Sequence, residues 1–341
     1  MTNKDSNLAP ILEKLKSNRQ RPVDPRDMQE IVGPTPKEDL LRDQQKAELL
    51  VDSHPDQDMK GMKIYRARGE EIPHVIRELG RLREATFRTV GEGTGLSSDT
   101  DRFDPYYDHF WAWDKKTSEI TGAYRIGRVD KILAKYGPDG VYTNTLFNLE
   151  PLLKADFRTG TLEAGRSFVR PEFQRGLTLL YIWTGLGRFV CANPDYKYLM
   201  GPVSISNEFH EASKHLMVSF LMKNFNHEKA ELVTSKNPPT FETDLSPEEL
   251  TSVVDNAIDL SALQDFVRMV EDNPRAQIPQ LIKLYLELGV RFLAFNKDDD
   301  FNSIDGLIWL DITKIPKNIG HRYMGEEGFA GYKAHHGMTV D

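Results

Sequence analysis

The segment Leu177–Ala192 constrains the fold more than any other part of the chain. It places Leu179, Leu180, Ile182, Trp183, Leu186, Phe189 and Val190 on nearly every side of a helix, so that helix must be buried on most of its surface. The strand-like run LEAGRSFV precedes it, joined by RPEFQRG. A strand feeding a helix that needs cover on all sides predicts a sheet with helices layered over it. No run of 18 apolar residues occurs anywhere in the 341-residue sequence, which excludes a spanning helix.

The remaining pattern predicts an α/β protein with a mixed, mostly antiparallel sheet. KIYRAR reads as a strand, and Glu71–Arg88 as a helix with Ile72, Val75, Ile76, Leu79 and Leu82 on its core face. HFWAWD and ITGAYRIGR form an antiparallel pair around the turn DKKTSE. The opening strand and its helix follow, then strand Tyr198–Ser204 and helix Asn207–Met222. The last unit is helix Ile278–Leu288 with strands Val290–Phe295 and Gly306–Asp311. Residues 1–60 are polar and Pro-containing and read as an extension that lies on the body or stays mobile. Residues 61–235 form the core, 236–275 a helical insertion with a capping box at Ser246 and Glu249, and 276–341 a unit that completes the sheet and ends in a helix.

The formal charge of −8 argues against a nucleic-acid binder that relies on a basic surface. Cys191 is the one cysteine and lies in an apolar helical run, where it reads as a small core residue. The first residues lack an apolar signal core, so a cytoplasmic protein is expected, with membrane contact at most peripheral. Two attractive motifs fail on geometry. His109 and Asp114 of HFWAWD are five apart and face opposite sides of a strand, so they form no relay. In HEASKH, His210 and His215 are rotated by about 140° on a helix, too far apart to share a metal. GEGTG lacks the lysine of a phosphate-binding loop and reads as a flexible turn.

Charged residues inside strands are more telling. DTDRFD carries Asp99, Asp101 and Asp104, Arg125 sits mid-strand in GAYRIGR, and Glu163 and Arg166 are three apart in the opening strand. Residues at odd separation share one cleft only across a bulge, which Gly165 would permit. Such charges are costly unless paired, so a structural ion network and a tuned general base are both open readings. The turn into helix Leu177–Ala192 offers free N–H groups with Arg175 and Gly176, an anion site.

These residues resemble the acyl-carrier loop of the GNAT acyltransferase fold (V-x-P-x-F-x-R-G) and, in D-x-D-x-x-D, Arg125 and E-x-x-R, the acyl-homoserine-lactone synthases. GRLREATFRTVGEGTG, DRFDPYYDHFWAWD, GRSFVRPEFQRG, GPVSISN and FNKDDDFNSIDGLIWLDITKIP are similar, in order, to the hemolysin-like GNAT family, which includes ornithine-lipid and glycine-lipid N-acyltransferases. The resemblance implies transfer of a long-chain, often 3-hydroxylated, acyl group to the α-amine of an amino acid, without a permanently bound cofactor or metal. The donor would be a 4′-phosphopantetheine thioester. The single glycine of QRGLTL favours acyl carrier protein over coenzyme A. Glu163 would be the base, and Arg166 and Arg125 would hold Asp101 and Asp104 or bind the substrate carboxylate. Phe168 or Val169 would give an oxyanion N–H, Arg175 and Gly176 would hold the phosphate, and Ser206 and Asn207 would contact pantetheine or cap the next helix. The aromatic run Tyr106, Tyr107, Phe110, Trp111 and Trp113 is expected mostly in the core, with one or two rings on the acyl channel. The alternatives are a lactone synthase and a non-catalytic carrier- or membrane-binding protein.

Overall fold

The computed structural model describes residues 8–17, 24, 26–52, 61–154, 159–174 and 176–339. Helices α1 (Leu8–Ser17) and α2 (Lys37–Gln44) lead into β1 (Glu48–Asp52), β2 (Met62–Arg68), α3 (Pro73–Arg88), β3 (Asp108–Asp114) and β4 (Glu119–Arg128). Then come α4 (Val129–Tyr136), β5 (Phe147–Asn148), α5 (Glu150–Lys154), β6 (Thr161–Val169), α6 (Thr178–Ala192), β7 (Tyr198–Ser206) and α7 (Glu211–Asn224). The chain continues through β8 (Thr234–Ser235), α8 (Pro247–Asn256), α9 (Leu260–Glu271), α10 (Gln280–Glu287), β9 (Arg291–Asp298), β10 (Ser303–Asp311), α11 (Lys317–Met324) and α12 (Glu326–His335).

Eight strands form one sheet in the order β1-β2-β3-β4-β6-β7-β10-β9. All neighbours are antiparallel except β6 and β7. Both faces are covered, which is why β3 and β10 show no polar alternation. Phe110 and Ala112 enter the core beneath α6, while Trp111 and Trp113 enter the core beneath α3. Helix α6 is enclosed as its composition requires, with β1–β4 on one side and α11 and α12 on the other.

The N-terminal stretch differs from its expected role as an extension. Strand β1 is the edge of the main sheet, and Ile11 and Leu15 are buried in its core. Asp43 accepts the His74 and Val75 backbone N–H groups at 2.6 and 3.2 Å, giving α3 a cap from a distant part of the chain. The capping box of Ser246 and Glu249 is present at α8.

Two departures from regular pairing build the site. Strands β6 and β7 pair only from Thr161–Glu163 to Tyr198–Met200. Beyond that they splay, at Gly201, where a Cβ would lie 1.9 Å from the Ala164 carbonyl oxygen. On the other edge of β6, Gly165 pairs with Arg125 and Phe168 with Ala123, so Arg166 and Ser167 together oppose Tyr124. This is the expected bulge. Its left-handed residue is Arg166, at φ 53°, and not Gly165. A non-glycine residue held there is strained by about 1–3 kcal/mol.

Candidate active site

The bulge turns Arg166 into a buried network with the acidic loop. Asp104 is the hub. Arg83 grips it with two hydrogen bonds of 2.9 and 2.8 Å, and Arg125 donates to it at 3.0 Å and to Asp101 at 2.6 Å. Arg166 lies 3.1 Å from Asp99 through Nε and 3.7 Å from Asp101 through Nη2, and its Nη1 donates to the Tyr142 hydroxyl at 3.0 Å. Asp104 sits well below the ordinary carboxylate range, because the two guanidiniums outweigh the cost of its burial. Asp101, Asp104, Arg125 and Arg166 are therefore brought together as the sequence suggested. Arg83 joins them without having been singled out.

Glu163 is placed differently. It is 1% exposed, and its carboxylate accepts the Thr143 N–H and hydroxyl, both at 2.5 Å, the Tyr142 N–H at 3.3 Å and the Tyr107 hydroxyl. Burial raises its pKa, and the Thr143 and Tyr107 hydrogen bonds oppose the rise. The carboxylate stands behind Tyr142, whose ring lines the cavity described below, and it does not line that cavity itself.

A cleft of about 1090 Å³ runs from the start of α6 to the splay. Its walls include Phe168, Val169, Gly176 and Ser206 of the expected set. The Arg170 N–H donates to Thr121 on β4 at 2.9 Å. By the alternation of the ladder, the Val169 N–H points away from β4 into the splay and that of Phe168 points toward β4. Helix α6 begins without a side-chain cap. Arg175 lies outside the described residues. Asn207 neither lines the cleft nor caps α7, whose N-cap is His210. Its amide donates to Asn302 at 3.2 Å and accepts from Lys214 at 3.1 Å.

At its inner end the cleft meets a smaller cavity of about 50 Å³, lined by Arg166, Tyr142, Ser167, Ser204, Asp305, Tyr124 and Tyr285 among others. Ser204 lines both spaces, pairs directly with Asp305 on β10, and donates its hydroxyl to Glu92 at 2.9 Å. Glu92 belongs to the GEGTG loop, which is pinned rather than flexible. Glu84 accepts from the Thr94 N–H and hydroxyl and the Gly95 N–H at 3.0, 2.8 and 2.9 Å. Asn302 and Arg26 bind the Gly91 carbonyl at 2.8 and 3.0 Å. Gly91, Gly93 and Gly95 have φ of 72°, 100° and 74°, the turn chemistry expected of them. Burial lifts Glu92 to about 7. It also lifts Asp305 well above the ordinary value, with Asp298 and Glu92 adding repulsion. The sequence reading missed Glu92, Ser204 and Asp305. The one available signal was an acid set between two glycines.

His109 is buried, donates its Nε2–H to the Asp104 backbone carbonyl at 2.9 Å, and is driven to about 4 by burial. His215 stacks on Phe241. Among the described residues no cluster of His, Cys, Asp and Glu has metal-binding form, and no helix is long and apolar enough to cross a membrane.

The family described as Acetyltransferase (GNAT) domain matches residues 82–184, from the last turns of α3 through the first half of α6. A glycine N(alpha)-acyltransferase of Bacteroides thetaiotaomicron is 34% identical over 86% of this chain and 90% of its own length. One of the same description from Phocaeicola vulgatus is 32% identical over 79% and 83%. An L-ornithine N(alpha)-acyltransferase of Agrobacterium fabrum is 27% identical over 71% and 77%. The solved structure of a CoA-dependent acyl-homoserine lactone synthase, MesI, covers 82% of this chain and 97% of its own at 10% identity and a TM-score of 0.35.

Proposed function

Because the chain belongs to the amino-acid N-acyltransferase family and carries a GNAT domain, we propose that it acylates the α-amine of glycine from a long-chain acyl thioester of acyl carrier protein, as a step in aminolipid synthesis. The observation that carries the acceptor is the cavity at the splay. It sets Arg166, one guanidinium nitrogen of which makes only a 3.7 Å ion pair, across from Asp305, with Glu92 at the throat. A cation and two acids around one small space suit a zwitterion, with the carboxylate on Arg166 and the amine toward the acids. A water needs about 10–15 Å³ of such space, so the cavity's about 50 Å³ fits glycine and falls short of ornithine.

The donor's pantetheine would lie in the large cleft, with its phosphate at the uncapped start of α6 and the exposed Arg275 on the rim. The thioester carbonyl would meet the Val169 N–H, which stabilises the oxyanion as it forms. Glu92 is better placed than Glu163 to act as base, since it faces the cleft while Glu163 is enclosed. Glu92 takes one proton from the bound ammonium, the freed amine attacks the carbonyl carbon to form the C–N bond, and collapse breaks the C–S bond as the nitrogen sheds the second proton, which the sulfur takes up. Two reactants held side by side need no acyl-enzyme.

The test is transfer from 3-hydroxypalmitoyl carrier protein and from the matching coenzyme A ester to glycine, serine, ornithine, lysine and glutamine, read by mass spectrometry. Amide formed with glycine and preferentially from the carrier thioester supports the reading. Preference for ornithine overturns the acceptor, preference for coenzyme A overturns the donor, and no amide with any pair overturns the activity.

A further inference from the structure

Alternate carbonyls of the loop that carries Glu92 are all taken by one stretch of chain near the N-terminus. Arg26 donates to the carbonyl of Gly91, at 3.0 Å, and to that of Gly93. The Gln29 N–H donates to Gly95 at 2.8 Å and the Val32 N–H to Ser97 at 3.0 Å. Two bonds run the other way. The Ser97 N–H donates to the Gln29 side chain at 3.1 Å, and Arg88 of α3 donates to the Gln29 carbonyl at 2.8 Å. Residues 26–32 therefore form a strap laid along residues 91–97, and they lie outside the residues 82–184 matched by the GNAT family.

Arg26 is the part of the strap that bears on Glu92. Its guanidinium bridges the carbonyls on either side of that residue, while the Glu92 N–H is spent on the Phe87 carbonyl of α3 at 3.0 Å. Asp24 orients the guanidinium, accepting from Nε at 2.8 Å, from Nη2 at 2.5 Å and from the Arg26 N–H at 3.1 Å. A planar fork of donors suits such bridging, and an ammonium does not. The Arg26 side chain is 7% exposed, so its charge is little screened. That charge opposes the burial that raises Glu92. The acids facing Glu92 act in the opposite sense: Glu208, which follows β7, and Asp305 of β10. On the α3 side, Glu84 is tied to Thr94, Gly95 and Arg88. Arg26 is the cation that favours an ionised Glu92.

We propose that the strap of residues 26–32 is part of the active site, and that Arg26 is a positioning residue that sets the place of the Glu92 carboxylate at the throat of the cavity. The inference rests on the reading of Glu92 as the base. A base must be ionised to accept a proton and must lie within hydrogen-bond reach of it. Arg26 supports the first requirement through its charge and the second through its two carbonyl bonds. A merely structural strap would lower stability when cut and leave both properties of Glu92 in place.

The test compares Arg26→Met, Arg26→Lys and Asp24→Asn with wild type, each checked for folding by a urea melt. One readout is the titration midpoint of Glu92, followed by carboxyl-carbon NMR on the whole chain without substrate and assigned with Glu92→Gln. The other is kcat/KM for glycine at pH 9, where Glu92 is ionised in all of them. Arg26→Met should move the midpoint up by about 0.5–1 pH unit, less than the loss of a directly paired guanidinium would give. It should also lower the rate at pH 9 by about tenfold, part of what a displacement of about 1 Å can cost. Arg26→Lys should restore the midpoint but not the rate, because its ammonium keeps the charge and cannot bridge both carbonyls. Asp24→Asn keeps Arg26 and removes its acid partner, so the midpoint should move down. Asp24 is exposed, so this variant reads the coupling even where Arg26→Met fails to fold. A folded Arg26→Met with midpoint and rate in place overturns the proposal, as does a midpoint unmoved in Asp24→Asn or a rate fully recovered by Arg26→Lys. If Glu92→Gln keeps full activity while the Arg26 and Asp24 variants still shift the Glu92 midpoint, the assignment of the base fails and the hold of the strap on Glu92 stands.

Discussion

Replacing Glu92 by Gln tests the assignment of the base, and the structure fixes both the size and the pH dependence of the effect. Burial raises the carboxyl from 4.5 to about 7. A positioned base contributes about 10²- to 10⁴-fold, so glycine acylation at pH 8 should fall by that factor. The substrate amine also titrates, and the ratio of wild-type to variant kcat/KM cancels its contribution because both enzymes use the same amine. That ratio should rise about tenfold per pH unit up to pH 7 and level off above it. Stability supplies a second readout with a worked sign. A carboxyl whose folded pKa lies above its unfolded value costs stability once it ionises, so the cost is absent below about 4.5, grows through about 7, and is then constant. The gap corresponds to about 3 kcal/mol, so the always-neutral Gln side chain should be more stable than wild type by up to that amount at pH 8 and about equal at pH 4.5. Urea melts at the two pH values measure it. A ratio flat from pH 5.5 to 8.5, or a loss below about threefold in a folded variant, would refute the reasoning.

Two other substitutions separate structure from chemistry. Glu163→Gln keeps the shape but points an amide at donors from Thr143, so it should lower stability by about 1–3 kcal/mol in urea melts while leaving the activity limb near pH 7 in place. Asp104→Asn removes the acid that Arg83 and Arg125 share, and a broken buried pair should cost about 3–5 kcal/mol. The depressed pKa of Asp104 means that its contribution is present above 3.8 and lost as pH falls through the folded value, so wild type and variant should converge in acid.

The antiparallel pairing of β3 with β4, the enclosure of α6 and the bulge in β6 were legible because each is a local rule. An all-round apolar helix must be covered, and two charges at odd spacing must meet across a bulge. The network of Asp101, Asp104, Arg125 and Arg166 was legible for the same reason, since charges inside strands require partners. Glu92 was not. Its raised pKa comes from burial, which the Ser204 hydrogen bond only partly offsets, and its own segment reads as a polar turn. Strand β1 was equally hidden, because ELLVD gains strand character from pairing with β2 and not from its own pattern. Asp43 reads as one more surface acid until α3 is folded against it.

Arg166 joins these threads, because it is at once the strained residue of the bulge and the group proposed to hold the substrate. Its left-handed backbone would be relaxed by Gly, a gain of about 1 kcal/mol. The same change removes the guanidinium from Asp99, which is 1% exposed and 3.1 Å away, and leaving a buried acid without that partner costs about 3–5 kcal/mol. Arg83 still lies 3.3 Å from Asp99, which places the net loss toward the lower end, about 2 kcal/mol. Arg166→Gly should therefore unfold at lower urea than wild type, and adding Asp99→Asn should recover part of the loss. Its KM for glycine should rise about tenfold or more, the worth of a charged hydrogen bond. If Arg166→Gly proved as stable as wild type, the ion network would not be what holds the strained residue in place. The positive φ would then have to be credited to the substrate site alone.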